Sequence, residues 1–237
     1  MTALRNAMLT FPQGGGPLVR VEYLESDGNQ WFDVDNVTYG SDTGFMVDLM
    51  LTSPYPGSGN GLIFGTSNDK RTAQTDNRSD LKIMTTGDGK QRIDRYDRSS
   101  SKFTRQIGAR QTFTFNPKGN STSSPYRYYS SLSGYARQDD TWYSSAYTSP
   151  ITSIGVFHVV WLRSDARFNE PMRLYGAELR EYSTATSYDL KFKLTPYRRG
   201  GVGLMLDEVS GIEHYNQGSG AFATGPDVSA QNGGGIS

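Results

Sequence analysis

The sequence has no cysteine, no excess of either charge and no long apolar run, and each absence excludes a class of protein. Without cysteine, the chain of 237 residues has neither disulfides nor thiol chemistry. Its 24 Lys and Arg balance 24 Asp and Glu, which gives no electrostatic reason to expect a nucleic acid or a membrane as partner. No run of about 18 apolar residues predicts a membrane-spanning helix. The first residues lack the pattern of a secretory signal peptide, so we expect synthesis in a reducing cytosol.

The residues that are abundant predict strands and turns. Aromatic residues make up 12% of the chain, and there are 27 glycines and 10 prolines. In "GFMVDLMLTS", apolar side chains recur at every second position from Phe45 to Leu51, which is typical of a strand with one buried face. "RQTFTFN", from Arg110, alternates in the same way. We therefore predict an all-β fold, an antiparallel β-sandwich.

Two further segments give specific expectations about which side chains share a face. "LVRVEYL" predicts one strand with Val19, Val21 and Tyr23 on the same face. In "MRLYGAELREYS" the alternation predicts one face with Leu174, Gly176 and Glu178 and the other with Arg173, Tyr175 and Ala177. "DLKIMTTGDGKQRIDRY" predicts a hairpin that turns at residues 87–89.

The chain is predicted to form one sandwich domain with short extensions. Residues 1–17 would be an N-terminal arm, which is either a frayed terminus or a segment that attaches the domain to a larger assembly. Residues 18–226 would form the sandwich, and 118–150 a long excursion rich in Tyr and Ser that contains a short strand at most. Residues 227–237 would be a flexible tail.

The two ends of this domain resemble one family pattern. The opening match consists of Tyr23, Leu24, Glu25, Ser26, Gly28, Gln30, Trp31, Phe32 and Asp33. The closing match consists of Pro196, Arg198, Gly203, Asp207, Val209, Ser210, Gly211, Tyr215, Asn216, Gly218, Gly220, Phe222 and Gly225. Together they resemble laminin-G-like, concanavalin A-like jelly-roll domains of bacteriophage virion accessory proteins and gut-bacterial surface proteins. The resemblance implies the jelly-roll sandwich and leaves function open.

The acidic residues raise the hypothesis of a glycoside hydrolase, and their placement speaks against it. Such enzymes need two carboxylates across the scissile bond, and the Glu-x-Asp-x-x-Glu strand pattern expected of glucanases of this fold is absent. Four early carboxylates flank a Gly-Asn turn instead, namely Glu25, Asp27, Asp33 and Asp35. Glu178 and Glu181 would point to opposite faces of one strand. We therefore expect a protein that is not an enzyme.

Metal ligands and cofactor motifs are equally sparse. His158 and His214 stand alone, without the spacing of a zinc site. Calcium is the alternative to having no cofactor, because loop carboxylates could supply its oxygen ligands, namely Asp69, Asp76, Asp80, Asp139 and Asp140. Solvated loops explain these aspartates as well, and we expect no cofactor.

The tyrosine-rich excursion is the best candidate for a binding site. Its candidate residues are Tyr126, Tyr128, Tyr129, Tyr135, Trp142, Tyr143 and Tyr147. Aromatic rings with interleaved polar groups suit sugar recognition. They also suit contacts with other proteins, because tyrosine offers a large contact area at low entropic cost. Packing over one end of the sandwich is the third alternative.

These observations lead to a hypothesis about function. We expect a non-enzymatic bacteriophage virion accessory protein, as a head decoration, head fibre or tail-associated component, whose sandwich can bind host or mucosal glycans. The N-terminal arm would bind other virion proteins, and the protein would form a homo-oligomer located in the virion. A bacterial surface or secreted glycan-binding module is the alternative, and a glycan hydrolase ranks below it.

Overall fold

The computed structural model describes residues 15–39, 42–53, 61–67, 81–85, 90–95, 98–104, 107–118, 127–132, 135–137, 153–159 and 171–228. These residues form strands and connections and include no helix, hence none that could cross a membrane. The strands are β1 (Leu18–Arg20), β2 (Leu24–Ser26), β3 (Phe32–Tyr39), β4 (Thr43–Leu51), β5 (Gly61–Ser67), β6 (Leu81–Thr85), β7 (Lys90–Arg95), β8 (Arg98–Thr104), β9 (Arg110–Asn116), β10 (Arg127–Leu132), β11 (Tyr135–Arg137), β12 (Ser153–Val159), β13 (Met172–Tyr182), β14 (Tyr188–Arg199), β15 (Val202–Asp207), β16 (Glu213–Tyr215) and β17 (Ala223–Thr224).

The strands form two antiparallel sheets. The larger sheet has 11 strands and runs in the order β11-β10-β9-β4-β13-β14-β15-β16, with β1, β2 and β17 attached beside β13 and β14. The smaller sheet has six strands in the order β3-β12-β5-β6-β7-β8. The predicted pairing of the two strands of the hairpin is confirmed, because β6 and β7 pair in antiparallel register. The predicted turn at residues 87–89 lies outside the described residues. The predicted all-β sandwich is therefore the observed fold.

Aromatic rings join the two sheets across the core. Phe45 of the larger sheet lies 5.3 Å from Phe64 of the smaller one, centroid to centroid. Phe32 of the smaller sheet lies 6.0 Å from Phe222 and 6.4 Å from His214. Phe32, Phe45 and Phe64 are fully buried. Ring pairs at these distances are favourable beyond the area they bury, so the sheets are held face to face by packed aromatics.

The alternation in β4 and β9 is confirmed. Phe45, Val47, Leu49 and Leu51 are all buried in the core, while the side chains between them are partly exposed. Phe113 and Phe115 of β9 are buried opposite them in register. Burial of one face of each strand fixes this register, since a slip of one residue would expose every apolar side chain.

The predicted faces of β13 hold through Tyr175 and are wrong from Gly176 onward, because a β-bulge shifts the alternation. Leu174 pairs with Leu49, and the next pair is Gly176 with Asp48, so Tyr175 is an extra residue on β13. After the bulge Ala177 is buried with Leu174, although the regular alternation placed them on opposite faces. A bulge redirects the side chains that follow it. It leaves Tyr175 on the outer face of the larger sheet, the face away from the smaller sheet.

The segment 18–26 fills a gap between β13 and β14. These two strands form a hairpin. They pair from Tyr182 with Tyr188, next to the turn, as far as Ala177 with Leu194, and they diverge beyond that pair. In the gap, β1 pairs with the end of β14, and β2 pairs with the start of β13. The expectation of one continuous strand over 18–24 is wrong, because a bend at Glu22 separates β1 from β2 and turns Tyr23 to the outer face. Residues 223–228 then cover this segment, through the pairing of β17 with β2 and the bridge of Val21 with Asp227.

A hydrogen-bond network, which we call the terminal lock, ties residues 26–31 to residues 216–220. The Trp31 amide donates to Asn216 Oδ1 at 3.0 Å, and the Gln217 amide donates to the Trp31 carbonyl at 2.7 Å. The Ser219 amide donates to the Asn29 carbonyl at 3.0 Å. Gln30, which is buried, donates from Nε2 to the Ser219 carbonyl. The two ends that share the family resemblance are thus in direct contact.

An ion pair fastens β16 to β14 close to Gly16. Both carboxylate oxygens of Glu213 accept hydrogen bonds from Arg199, and the Tyr215 hydroxyl also donates to Glu213. Arg199 Nη1 donates to the Gly16 carbonyl at 2.9 Å, so the same side chain also holds the residues just before β1. These hydrogen bonds, with Arg199 first, lower the pKa of Glu213.

The lowered pKa of Glu213 predicts a contribution to stability that depends on pH. A carboxylate with a depressed pKa in the folded state stabilises the fold above its unfolded pKa, about 4.3, and loses this contribution as pH falls through the folded value. We expect Glu213→Gln to be less stable than wild type at pH 7, and the difference to shrink below about pH 4. Urea unfolding of both proteins at pH 7, 5 and 3 measures this. A difference that stays constant over this range would contradict the assignment.

Candidate functional site

The structure describes three of the seven aromatic residues proposed from the sequence. Tyr128 and Tyr129 lie in β10, which pairs with β9, and Tyr135 lies in β11 at the edge of the larger sheet. Part of the predicted excursion is therefore a hairpin that extends the larger sheet. Outside the described residues lie Tyr126, Trp142, Tyr143 and Tyr147. The proposal that these rings form a binding site stays a prediction.

A second group of aromatic and charged side chains lies on the outer face of the same sheet. It spans four neighbouring strands in the order β9-β4-β13-β2. We call it the Tyr23–Tyr175 cluster, and its members are Tyr23, Glu25, Asp48, Arg110, Arg173 and Tyr175. Each is partly or largely exposed. The sandwich core supports the sheet beneath them.

Arginines cover the tyrosine rings of this cluster. The guanidinium carbon of Arg110 lies 3.9 Å from the ring centroid of Tyr175, and that of Arg173 lies 4.4 Å from the centroid of Tyr23. The two rings meet edge to face at 5.5 Å. A guanidinium over an aromatic face is attracted by the ring quadrupole. All four side chains are thus held in position by direct contacts.

The Gly225 backbone lies against Tyr23 and helps to orient its ring. A Cβ atom at Gly225 would lie 2.9 Å from both Cδ1 and Cε1 of Tyr23, closer than real Cβ atoms approach. The Gly225 amide also donates to the Tyr23 carbonyl at 2.9 Å. The closing segment of the chain therefore supports the cluster as well as the terminal lock.

Each arginine of the cluster is also paired with a carboxylate. Arg110 donates to Asp48 through Nε at 3.0 Å and Nη2 at 2.5 Å, a two-point contact. Arg173 donates through Nε to Glu25 at 2.8 Å. The hydrogen bond to Asp48 is the main cause that raises the pKa of Arg110. Two-point contacts fix direction as well as distance, so Asp48 and Arg110 present donors and acceptors in a defined arrangement.

Tyr175 contributes a neutral hydroxyl to the cluster. Burial is the largest cause that raises its pKa, and the charges of Arg173 and Arg110 oppose the rise without cancelling it. The phenol therefore keeps its proton at neutral pH and can both donate and accept a hydrogen bond. Together with the guanidinium N–H groups and the carboxylate oxygens, it can bind a ligand that carries hydroxyl groups.

Three acidic residues considered in the sequence, Glu178, Glu181 and Asp27, make contacts outside the cluster. Glu178 accepts from Arg180 Nη2 at 2.5 Å, whereas Glu181 accepts from the Thr43 hydroxyl at 2.8 Å. The regular register of β13 with β4 over these positions places the two glutamates on opposite faces, as predicted. Asp27 accepts from the Asn29 amide at 2.9 Å, which gives it the turn role expected from the sequence.

The aspartates considered as calcium ligands lie outside the described residues. Within the described ranges, no group of three or more His, Cys, Asp or Glu side chains is placed to hold a metal ion. His158 lies in β12 between β3 and β5, and His214 contacts Phe32.

Comparisons with known proteins agree with the sandwich class. No family model matches the chain, and no curated protein matches its sequence. A solved structure from Bacteroides ovatus, of a protein to which carbohydrate binding is ascribed, is similar with a TM-score of 0.51 at 10% sequence identity. The match covers 90% of this chain and 61% of that protein, so this chain spans about three-fifths of its length. At this identity, the likeness establishes the shared fold.

Proposed function

We propose that this protein is a non-enzymatic glycan-binding β-sandwich and that the Tyr23–Tyr175 cluster binds the sugar. The proposal depends chiefly on one observation: two guanidiniums are fixed over two tyrosine rings, and each is paired with a carboxylate, on one face of the sheet. Sugar hydroxyls need donors and acceptors in fixed directions. Side chains on strands hold donors and acceptors in fixed directions more precisely than side chains on loops. The similar solved structure adds support, since carbohydrate binding is ascribed to it.

The contacts of Glu25 and Asp48 favour binding over hydrolysis. Glycoside hydrolysis needs one carboxylic acid that gives a proton and a second carboxylate across the scissile bond. Both carboxylates of the cluster instead accept hydrogen bonds from arginine. This arrangement suits acceptors for sugar hydroxyls, and it supports the proposal that the protein is not an enzyme.

The tyrosine-rich segment can extend this site. Strand β10 pairs with β9, the strand that begins with Arg110, and Leu132 pairs with Gln111. The two candidate regions therefore belong to one sheet. We propose that this part of the tyrosine-rich segment lengthens the binding surface, so that it accommodates several sugar units.

We also propose that the protein is a bacteriophage virion component, as the sequence resemblance implies. Residues 1–17 would attach it to capsid or tail proteins, and the hydrogen bond of Arg199 to the Gly16 carbonyl supports a firm base for such an arm. Mass spectrometry of purified particles from the source phage would detect the protein at a fixed copy number. Its recovery from bacterial cell envelopes alone would favour the alternative, a bacterial surface module.

Glycan binding is tested with a pair of matched arginine variants. Arg110 and Arg198 each donate hydrogen bonds to an aspartate through Nε and Nη2. The difference between them is that the Arg110 guanidinium also lies over a tyrosine ring. We expect Arg110→Ala to weaken binding of the best ligand from a glycan array at least tenfold, about 1.4 kcal/mol, and Arg198→Ala to leave it unchanged. Isothermal titration calorimetry measures both. Equal affinities in the two variants would exclude the cluster as the site.

A further inference from the structure

The carboxylates in and beside the cluster outnumber its guanidiniums. Glu25 and Asp48 lie within it, and Glu22, whose side chain is exposed, directly precedes Tyr23 of the cluster. After the hydrogen bond to Asp48, the charge of Glu22 also raises the pKa of Arg110, and after burial it raises the pKa of Tyr175. Three acidic groups are thus set against two arginines, and the sum of these five charges is negative.

The positive charge of each arginine is already matched by a carboxylate. Arg110 lies 2.5 Å from Asp48, and Arg173 lies 2.8 Å from Glu25. An anionic ligand that bound Arg110 would have to displace Asp48 or lie close to it, and like charges at short range are repelled. A neutral hydroxyl meets no such penalty, because it can accept from a guanidinium and donate to a carboxylate.

The two-point contact leaves part of Arg110 available to a ligand. Its bonds to Asp48 come from Nε and Nη2. Both N–H groups of Nη1 and the second N–H of Nη2 are therefore the groups of Arg110 that can donate to a sugar hydroxyl. The Arg110 side chain is 44% exposed, against 18% for Asp48, so a ligand reaches the guanidinium first.

We infer that the cluster selects neutral glycans and excludes sugars that carry a carboxylate or a sulfate. This inference rests on the proposed function, since it names the ligand class of the same site. Two surface arginines without carboxylate partners would have the opposite preference, because they would attract acidic sugars.

Matched glycan pairs test this selectivity. Binding is measured by titration calorimetry for neutral oligosaccharides and for the same oligosaccharides with one added sialic acid, uronic acid or sulfate group. We expect each acidic member to bind at least tenfold more weakly than its neutral partner. The difference should decrease between 50 mM and 500 mM NaCl, since salt screens exposed charges.

A charge-removing variant separates electrostatic exclusion from simple lack of space. We expect Glu22→Gln to bind the acidic glycan of each pair severalfold more tightly than wild type does. Its affinity for the neutral glycan should be unchanged. Asp189→Asn removes the same charge from an exposed site on β14, at the other end of the sheet, and should change neither. Preference for acidic glycans, or a Glu22→Gln effect equal to that of Asp189→Asn, overturns the inference while the proposed function stands. Binding of no glycan at all overturns both.

Discussion

Phe45→Ala is expected to lower the free energy of unfolding by about 4 kcal/mol, as other truncations of buried aromatics do. Phe45 is fully buried and contacts Phe64 of the opposite sheet at 5.3 Å and Phe115 of the neighbouring strand at 6.0 Å. Its removal leaves a cavity between the sheets, where the surrounding side chains cannot close in fully. Urea unfolding followed by circular dichroism measures the loss.

Tyr188→Ala is the matched control for Phe45. Tyr188 also lies on the larger sheet and contacts a ring, that of Tyr182 at 5.2 Å, but it is 39% exposed. We expect this variant to lose about 1 kcal/mol or less, as exposed positions usually do. Equal losses in the two variants would show that the contact between the sheets is not a main source of stability.

Gly218→Ala is expected to lower the free energy of unfolding by about 3 kcal/mol, the upper part of the range for overpacked sites. A Cβ atom at this position would lie 2.0 Å from the Asn29 carbonyl oxygen and 2.7 Å from Trp31 Cδ1. The carbonyl belongs to the backbone and cannot move without breaking its bond with the Ser219 amide. The substitution therefore opens the terminal lock. Thermal and urea unfolding measure its effect.

Gly15→Ala is the control for Gly218. A Cβ atom at Gly15 would meet nothing within 4 Å, so the same added methyl group should leave stability unchanged. If Gly218→Ala were as stable as Gly15→Ala, the terminal lock would not fasten the chain ends together.

The regular strands of this fold can be predicted from the sequence, because their burial pattern is simple. β4 and β9 each bury every second side chain, and the apolar residues follow that period. The β13 bulge breaks the period, and the one sign of it in "LYGAEL" is Gly176, because an isolated glycine inside a strand can mark a bulge. Its position is set by pairing with β4, a contact between distant parts of the chain.

The residues that carry the family resemblance have visible roles in the structure. Asn216 and Gly218 belong to the terminal lock, and Gly225 lies against Tyr23. Asp207 caps the turn after β15, where its Oδ1 accepts from the Val209 amide at 3.0 Å. A motif match can locate such residues, but the partners of Asn216, Gly218 and Gly225 lie near the start of the domain and appear only in the fold.

The Tyr23–Tyr175 cluster was missed in the sequence because its members are scattered. The tyrosine-rich stretch is dense in aromatic residues along the chain, whereas the cluster takes one or two side chains from each of four segments. Two weak signals were present. Tyr23 with Glu25, and Arg173 with Tyr175, are spaced by two positions, which places both members of each pair on one face of a strand.

The insertion of residues 18–26 between β13 and β14 has a consequence for how the protein folds. This stretch is made well before its partners in β13, β14 and residues 223–228. Until those partners are made, its backbone groups have no native partner. Closing such a long loop is slow, so the nascent chain exposes this stretch to chaperones and to other copies during that interval.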